Sequence, residues 1–272
     1  MSEKHTKARF WKCALQVNPY SYIEYRGTDH HLSEEEYNDK LLEICENEKI
    51  KIIGIANHGN VENIDKIRDL MNQKHIIVFP GFEITSSEKA HFVALFSETT
   101  TTEELNRYLG NLELTDPEDG VRPSTLSAEQ ILQKIEGLKG FIYAAHCTAN
   151  NGILKQRLNH VWKNKSLKAA QIPATIEDLK GEKDDFYRKV ILNKNPDYLR
   201  EEPIAVINAK DVEKPETLED PKATCLIKMT EPNFEAFKLA FQDPKSRARL
   251  NSDITEKYYS RIETLSITGG YL

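Results

Sequence analysis

The sequence predicts an α/β protein built on a mainly parallel sheet or a barrel, and two observations carry that prediction. Short apolar runs alternate with helical patterns along most of the 272 residues, as they do in βα units. Most of these runs are almost continuously apolar, as strands covered on both faces are. A chain of this length forms either one large α/β barrel or two smaller domains.

The predicted elements follow one another in a regular order. The predicted strands are 11–17, 50–57, 75–84, 90–96, 141–147, 203–209, 223–229 and 262–268. Ser33 is expected to cap the first helix with Glu36 completing a capping box, and Ser127 is expected to cap a later helix. The predicted helices are 34–47, 61–72, 102–110, 127–137, 154–164, 184–193 and 233–241.

Two segments interrupt this alternation. Residues 111–126 contain two prolines and a glycine and are predicted to be a surface loop, and the charged stretch 174–202 is predicted to be a helical excursion. The chain stops at SITGGYL, directly after a strand-like run. This abrupt stop indicates a domain that continues into a longer protein.

Composition and charge exclude several classes of protein. The hydrophobic fraction of 39% and the charged fraction of 29% are typical of a globular protein with a full core. The net charge of −6 argues against a surface covered with positive charge for nucleic acid, although it allows a local basic patch. The N-terminus has no apolar secretory core, and no run approaches the length of a membrane span. The four cysteines are isolated, which predicts free buried thiols and a cytoplasmic location.

Polar side chains gather at the ends of the predicted strands, where α/β barrels collect their chemistry. Gln16 and Asn18 end the first strand and, spaced i, i+2, point to one side of the sheet. The other strand-end residues are Asn57, His58, Glu83, His91, His146, Lys210, Asp211 and Glu213. Each alone has an ordinary structural explanation. Together they need a reason, because unpaired buried charge is costly, and metal ions or a phosphate site supply one.

The order of these motifs resembles the PHP (polymerase and histidinol phosphatase) domain family. The matching segments are ALQVNP, IANH, PGFEI with Glu83, HFVALF with His91, AAHC with His146, and KDVE with Asp211. The resemblance implies a distorted (β/α)7 TIM-like barrel that binds up to three metals and hydrolyses phosphate esters.

The flanking segments FWKCALQVNPYSY and PGFEITSSEKAHFVALF are similar to the PHP domain of TrlF-like proteins. This resemblance covers about residues 9–272 and implies a single PHP-like domain over 1–272. It also implies that an SMC/AAA-type ATPase follows in the longer protein, and that such proteins act in bacterial defence against phage.

The chain departs from the family motif at several ligand positions. Gln16 and Asn18 stand where the family has two metal-binding histidines, Asn57 stands where it has an aspartate, and Glu213 stands where it has a closing histidine. Amide oxygens are weak, neutral donors that suit hard cations better than zinc. The two amides therefore weaken one metal site of three.

The resemblance assigns the remaining ligands to three sets. The first set is Glu83 and Asp211, beside the amides Gln16 and Asn18. The second set is intact and consists of Glu83, His91 and His146. The third set is altered and consists of His58, Glu24 and Glu213. We therefore expect one or two divalent ions, among Mn, Zn, Fe and Mg, rather than three.

Two functions are compatible with this pattern. The first is a metal-dependent phosphoesterase or nuclease with Glu83, His146 and Asp211 at the catalytic centre and Lys210, Arg26 and Asn57 contacting the substrate. Lys210 and Arg26 could equally be solvated surface charges. The second is a catalytically inactive scaffold that binds a nucleic acid, a nucleotide or a partner, and regulates the ATPase. Either function is compatible with a homo-oligomer.

The basic segment 154–168 leaves a further alternative open. Its lysines and arginine, with Trp162 available for stacking, could bind nucleic acid. An amphipathic helix with Trp162 in the core and the charges in solvent explains the same pattern, and we favour that interpretation.

Overall fold

One mixed sheet organises the molecule. The structure, a computed structural model, describes residues 7–22, 31–114, 123–181 and 185–253. Within these ranges the strands are β1 (Arg9–Val17), β2 (Ile50–His58), β3 (Ile77–Thr85), β4 (His91–Leu95), β5 (Phe141–Ala144), β6 (Ala169–Gln171), β7 (Ala205–Ile207), β8 (Cys225–Met229) and β9 (Ala248–Leu250). Their order in the sheet is β7-β6-β5-β4-β3-β2-β1-β8-β9.

The sheet curls into a nearly closed barrel. Strands β1, β2 and β3 are parallel to one another, as are β5, β6 and β7, whereas β4 is antiparallel to both of its neighbours. Strands β8 and β9 extend the sheet beyond β1 in antiparallel fashion, and β9 lies against β7. Across this seam the Ser252 hydroxyl donates to Asn208 Oδ1 over 2.8 Å. The predicted α/β barrel is confirmed.

Alternating side chains divide the apolar residues between two cores. Cys13 and Leu15 of β1 belong to the cluster inside the barrel, and Ala14 belongs to the cluster between the sheet and the surrounding helices. A helix closes one end of the interior. Its Phe237 ring lies 5.1 Å from Phe79 and 4.8 Å from Phe141, measured between ring centroids. This aromatic plug leaves the opposite end, where β1, β2 and β3 finish, available for a site.

The helices lie on the outside of the sheet or at its plugged end. They are α1 (Glu34–Asn47), α2 (Ile64–Asn72), α3 (Thr102–Asn111), α4 (Ala128–Gly137), α5 (Asn159–Lys163), α6 (Phe186–Ile191), α7 (Phe234–Ala240), which is the plug, and α8 (Pro244–Arg247). Both predicted caps are present: Ser33 forms a capping box with Glu36, and Ser127 forms one with Gln130. No helix in the described ranges has the length and apolar character that crossing a membrane requires.

Several predicted elements change in the structure. Strands β6 and β9, three residues each, were not predicted, because such short runs carry no periodic signal. The predicted helix 154–164 is reduced to α5, because the preceding turn is bonded to the loop after β5 and Arg157 has a φ of 59°. The predicted strand 262–268 lies outside the described residues.

All four cysteines are free and buried. Burial raises the pKa of the Cys147 and Cys225 thiols to about 12. We therefore expect a thiol reagent such as DTNB to leave the native protein unmodified at pH 8 and to titrate four groups per chain after unfolding in guanidinium. Rapid modification of the folded protein would contradict this burial.

Candidate metal centre

Glu83 lies at the centre of a cluster of imidazoles and carboxylates at the open end of the barrel. It is near the end of β3 and is only 1% exposed. The parallel pairing of β2 with β3 places His58 directly beside it, with Nδ1 3.7 Å from Glu83 Oε1. The ring of Tyr22 stacks on His58 with 4.8 Å between ring centroids.

His91 reaches the same rim because β4 runs antiparallel to β3. A short hairpin joins the two strands, with the amide of Ser86 donating to the carbonyl of Ala90 over 2.9 Å. The first residue of β4 therefore lies beside the end of β3. His91 Nδ1 is 2.5 Å from Glu83 Oε1, yet this oxygen has no well-aligned hydrogen-bond donor among the described residues.

His146 follows β5 and has a left-handed backbone with a φ of 45°. Its amide donates to the side-chain oxygen of Gln171, at the end of β6. Its Nε2 is 4.0 Å from Glu83 Oε2. The loop that follows is bonded to β4, because the amide of His91 donates to the carbonyl of Asn151 over 2.9 Å. The loop therefore holds His91 and His146 in one unit.

Asp211 is carried to the rim by the segment after β7. The amide of Val212 donates to the carbonyl of Gln16 over 3.0 Å, and its carbonyl accepts from the amide of Asn18 over 3.2 Å. These bonds place Asp211 beside the end of β1. Within the described residues, two groups of ligand atoms lie within 4.8 Å of one another: Glu83 with His91 and His146, and Glu83 with His58 and Asp211.

The two amides at the end of β1 contact the two carboxylates. Gln16 Nε2 donates to Glu83 Oε2 over 2.6 Å, and Asn18 Nδ2 donates to Asp211 Oδ1 over 2.6 Å. The carbonyl of Asn18 accepts from the buried hydroxyl of Tyr37 over 2.9 Å. Both predicted amides therefore lie at the site, where they act as hydrogen-bond donors to the acids.

The electrostatics of the cluster favour charged acids and neutral imidazole. Burial alone raises the pKa of Glu83, but contact with His91 and the charges of His58 and His146 outweigh it, so the pKa is lowered. Burial lowers the pKa of His146 and, together with the neighbouring His91, outweighs the carboxylate of Glu83, which raises it. Near neutral pH the site thus holds an ionised carboxylate and an imidazole that retains a lone pair.

The remaining predicted residues fall around this cluster or apart from it. Asn57 is buried and engaged in a turn, where its Nδ2 donates to Asn60 Oδ1 over 2.5 Å. Glu213 is exposed and belongs to neither ligand group, and Glu24 and Arg26 lie outside the described residues. Asp211 lies beside the amide of Asn18, as the sequence predicts, and His58 joins it and Glu83 in one ligand group.

A pocket adjoins the cluster on the side of Asp211. It has a volume of about 400 Å³, and its lining includes His146, Asp211, Lys210 and Lys222. Lys210 is exposed, and its Nζ pairs with Asp220 Oδ2 at 3.0 Å. Trp162, in contrast, is completely buried, as the favoured interpretation of segment 154–168 predicts, and it is not available to stack on nucleic acid.

Sequence reasoning missed Gln171, which holds the backbone of His146. It ends a three-residue strand that carries no periodic signal. The signal that could have identified it is a polar side chain directly after two alanines and before an Ile-Pro pair.

The donor set fits divalent metal ions. Imidazole nitrogens and carboxylate oxygens are ligands of Zn, Mn and Fe, and the two groups share one carboxylate, as bridged pairs of ions do. Glu83 Oε1 faces two imidazole nitrogens, His91 Nδ1 at 2.5 Å and His58 Nδ1 at 3.7 Å, so that one carboxylate oxygen lies between two residues of the type that bind metal ions.

Solved structures with the same architecture are known, although no family model and no curated protein matches the sequence. The chain is similar to Endonuclease Q in complex with a 27-mer duplex substrate with an abasic lesion at the active site, at 12% identity and a TM-score of 0.58, over 89% of this chain and 58% of that one. It is also similar to the lesion-specific endonuclease PfuEndoQ from Pyrococcus furiosus, at 12% identity and a TM-score of 0.57, over 86% and 56%. The chain thus spans a little over half the length of these proteins. At this identity the likeness shows the fold alone, a barrel of the PHP type.

Proposed function

We propose that the protein is a metal-dependent phosphoesterase that cleaves phosphodiester bonds of nucleic acid. One observation carries the proposal: the buried carboxylate of Glu83 is shared by two ligand groups at the open end of the barrel. Three imidazoles and a second carboxylate gathered around one buried carboxylate form a donor set of the kind that divalent cations bind, and such clusters are typical of functional sites.

The residues divide into two ligand sets. His91 and His146 would hold one ion with Glu83, and His58 and Asp211 would hold a second. Divalent ions in such a pair polarise a phosphoryl oxygen and activate water for attack on phosphorus. The chain's own contribution is to orient these ligands: the Gln171 side chain fixes the backbone of His146, and hydrogen bonds on both sides of Val212 fix Asp211.

The substrate side of the proposal rests on the adjoining pocket. Lys210 and Lys222 lie at its lining beside His146 and Asp211, where a phosphate could be contacted by a point charge. Endonuclease Q, whose fold this barrel shares, was solved with a 27-mer duplex substrate at its active site. A nucleic-acid strand whose flanking phosphate lies near these lysines fits this arrangement. Arg26 remains a proposed substrate contact outside the described residues.

The wider setting follows from the sequence resemblance alone. We propose that the barrel is a single domain of a longer cytoplasmic protein with a C-terminal ATPase that acts in bacterial defence against phage, with homo-oligomers compatible with that arrangement. Plaque counts on bacteria expressing the full-length protein, compared with a His146→Ala version, test the defence role. Equal plaque numbers with and without the protein would remove it.

The main experiment compares His146→Ala with His160→Ala, an exposed histidine on α5. Removing His146 is expected to lower the hydrolysis of bis-p-nitrophenyl phosphate and of a labelled oligonucleotide by about 10²–10³-fold, since a polarising ion contributes several kcal/mol to the transition state. The His160 variant is expected to stay within about twofold of the wild type, because exposed substitutions change little.

The metal content of the same purified proteins distinguishes the phosphoesterase from the alternative, a catalytically inactive scaffold. Elemental analysis should show at least one transition metal per chain in the wild type and fewer in His146→Ala. If the wild type binds no metal and is inactive with Mn, Zn, Fe and Mg, the inactive scaffold is the better description. The loss of four motif residues favours that alternative, and the clustering of Glu83, His91, His146 and Asp211 argues against it.

A further inference from the structure

Two buried amides face the two carboxylates of the candidate metal centre with their nitrogen ends. Gln16 and Asn18 are both 0% exposed, and each lies 2.6 Å from the carboxylate oxygen that it contacts. Only the NH₂ end of an amide can face a carboxylate oxygen at this distance, because the carbonyl end would repel it. The chemistry of the contact therefore determines how both amides are oriented.

In this arrangement the amide oxygens point away from the carboxylates that the NH₂ groups contact. Gln16 Oε1 and Asn18 Oδ1 have no hydrogen-bond partner among the described residues. A cation held by either amide would need that oxygen, because the NH₂ group has no lone pair to offer. A cation placed between an amide and its carboxylate is therefore incompatible with the observed hydrogen bonds.

We infer that Gln16 and Asn18 are positioning residues that take the place of one cation. Each donates a hydrogen bond to one carboxylate, Gln16 to Glu83 and Asn18 to Asp211, so that the acids are held without an ion between them. Glu83 Oε1, the oxygen that Gln16 does not contact, lies 2.5 Å from His91 Nδ1 and 3.7 Å from His58 Nδ1. The inference rests on the proposed function and deepens it, because it limits the centre to at most two ions.

This arrangement has a consequence for the metal-free protein. Without a cation, the buried Glu83 and the half-buried Asp211 need other groups to compensate their charge, and charge-assisted hydrogen bonds do this. Gln16→Met and Asn18→Leu keep the approximate volume and remove the donor. Each is expected to lower the melting temperature of EDTA-treated protein by roughly 3–12 °C. Gln156→Met, an exposed amide in the turn before α5, is the control and should stay within about 2 °C.

The number of bound ions is the second measurement. Replacing both amides with histidines, Q16H/N18H, supplies lone pairs where NH₂ groups now stand. At saturating Mn²⁺, elemental analysis is expected to find at most two ions per wild-type chain and one more in Q16H/N18H. The control N106H/Q133H adds two histidines at exposed positions on α3 and α4 and should bind no additional ion.

The affinity for Mn²⁺ is a third measurement. The Gln16→Met variant should bind Mn²⁺ about 10- to 100-fold more weakly than the wild type, as variants of ligand-orienting residues do.

The outcomes separate this inference from the proposed function. A wild-type chain that binds three ions overturns the inference, as does a folded Q16H/N18H that binds no more than the wild type. An unchanged melting temperature of Gln16→Met and Asn18→Leu in EDTA also overturns the inference. This measurement is the test that remains if Q16H/N18H does not fold. A wild type that binds no ion, with the EDTA destabilisation present, supports the inference and removes the phosphoesterase.

Discussion

Glu83→Gln is expected to abolish phosphodiester hydrolysis and to remove most of the bound metal. Both ligand groups share this carboxylate, so its loss acts on both ions at once. A glutamine keeps the shape of the side chain but has no charge and only one acceptor oxygen. With several kcal/mol of transition-state stabilisation at stake, the activity should fall by at least about 10³-fold. Activity on the chromogenic diester and metal content per chain are the measurements.

The control is Glu62→Gln, an exposed acid four residues after His58, which should keep both activity and metal.

The metal-free protein adds a test of how stability depends on pH. Because the pKa of Glu83 is lower in the folded chain than the ordinary value of 4.5, its ionised form stabilises the fold above about pH 4.5. That contribution is lost as the pH falls through the folded pKa. In EDTA, Glu83→Gln should therefore lose less stability than the wild type as the pH falls from about 5 to about 3. An equal loss in the two proteins would mean that Glu83 is not specifically stabilised as an anion.

Gly152→Ala is expected to impair the centre from the loop after β5. A Cβ at this position would lie 2.2 Å from the carbonyl oxygen of His146 and 2.4 Å from that of Cys147, and both are backbone atoms that cannot rotate away. The loop must shift, and with it the bond between Asn151 and His91. We expect about 2–4 kcal/mol of lost stability, at the upper end for single substitutions, and at least about 10²-fold lower activity.

Gly110→Ala supplies a matched control, because its added Cβ meets nothing within 4 Å in helix α3. It should leave the activity unchanged and raise the melting temperature slightly, since alanine is the better helix former. Thermal melts and metal content of the two variants form the comparison. A Gly152→Ala protein with wild-type metal binding at His146 would show that the loop can adapt, and that it does not hold this ligand.

Local chemistry made much of the fold predictable. The capping boxes at Ser33 and Ser127 form between residues three positions apart, so no distant contact is needed to create them. The strands β1, β2 and β3 agree with the predicted apolar runs to within two residues, because their length and apolar character are unambiguous. The three-residue strands β6 and β9 exist only because neighbouring strands pair with them.

The sequence by itself determined which side chains could act: Glu83, His91 and His146 are identifiable from their places at the edges of apolar runs. Only the tertiary structure decided how they meet. The antiparallel direction of β4 brings His91 to the rim, since in a parallel strand the first residue would lie at the opposite end. The pairing of Val212 with β1 brings Asp211 close to His58. The carboxylates of Glu83 and Asp211 determine the orientation of the Gln16 and Asn18 amides, whose NH₂ groups donate to them. Strand direction and amide orientation are set by partners far away in the chain, and a linear pattern carries no information about them.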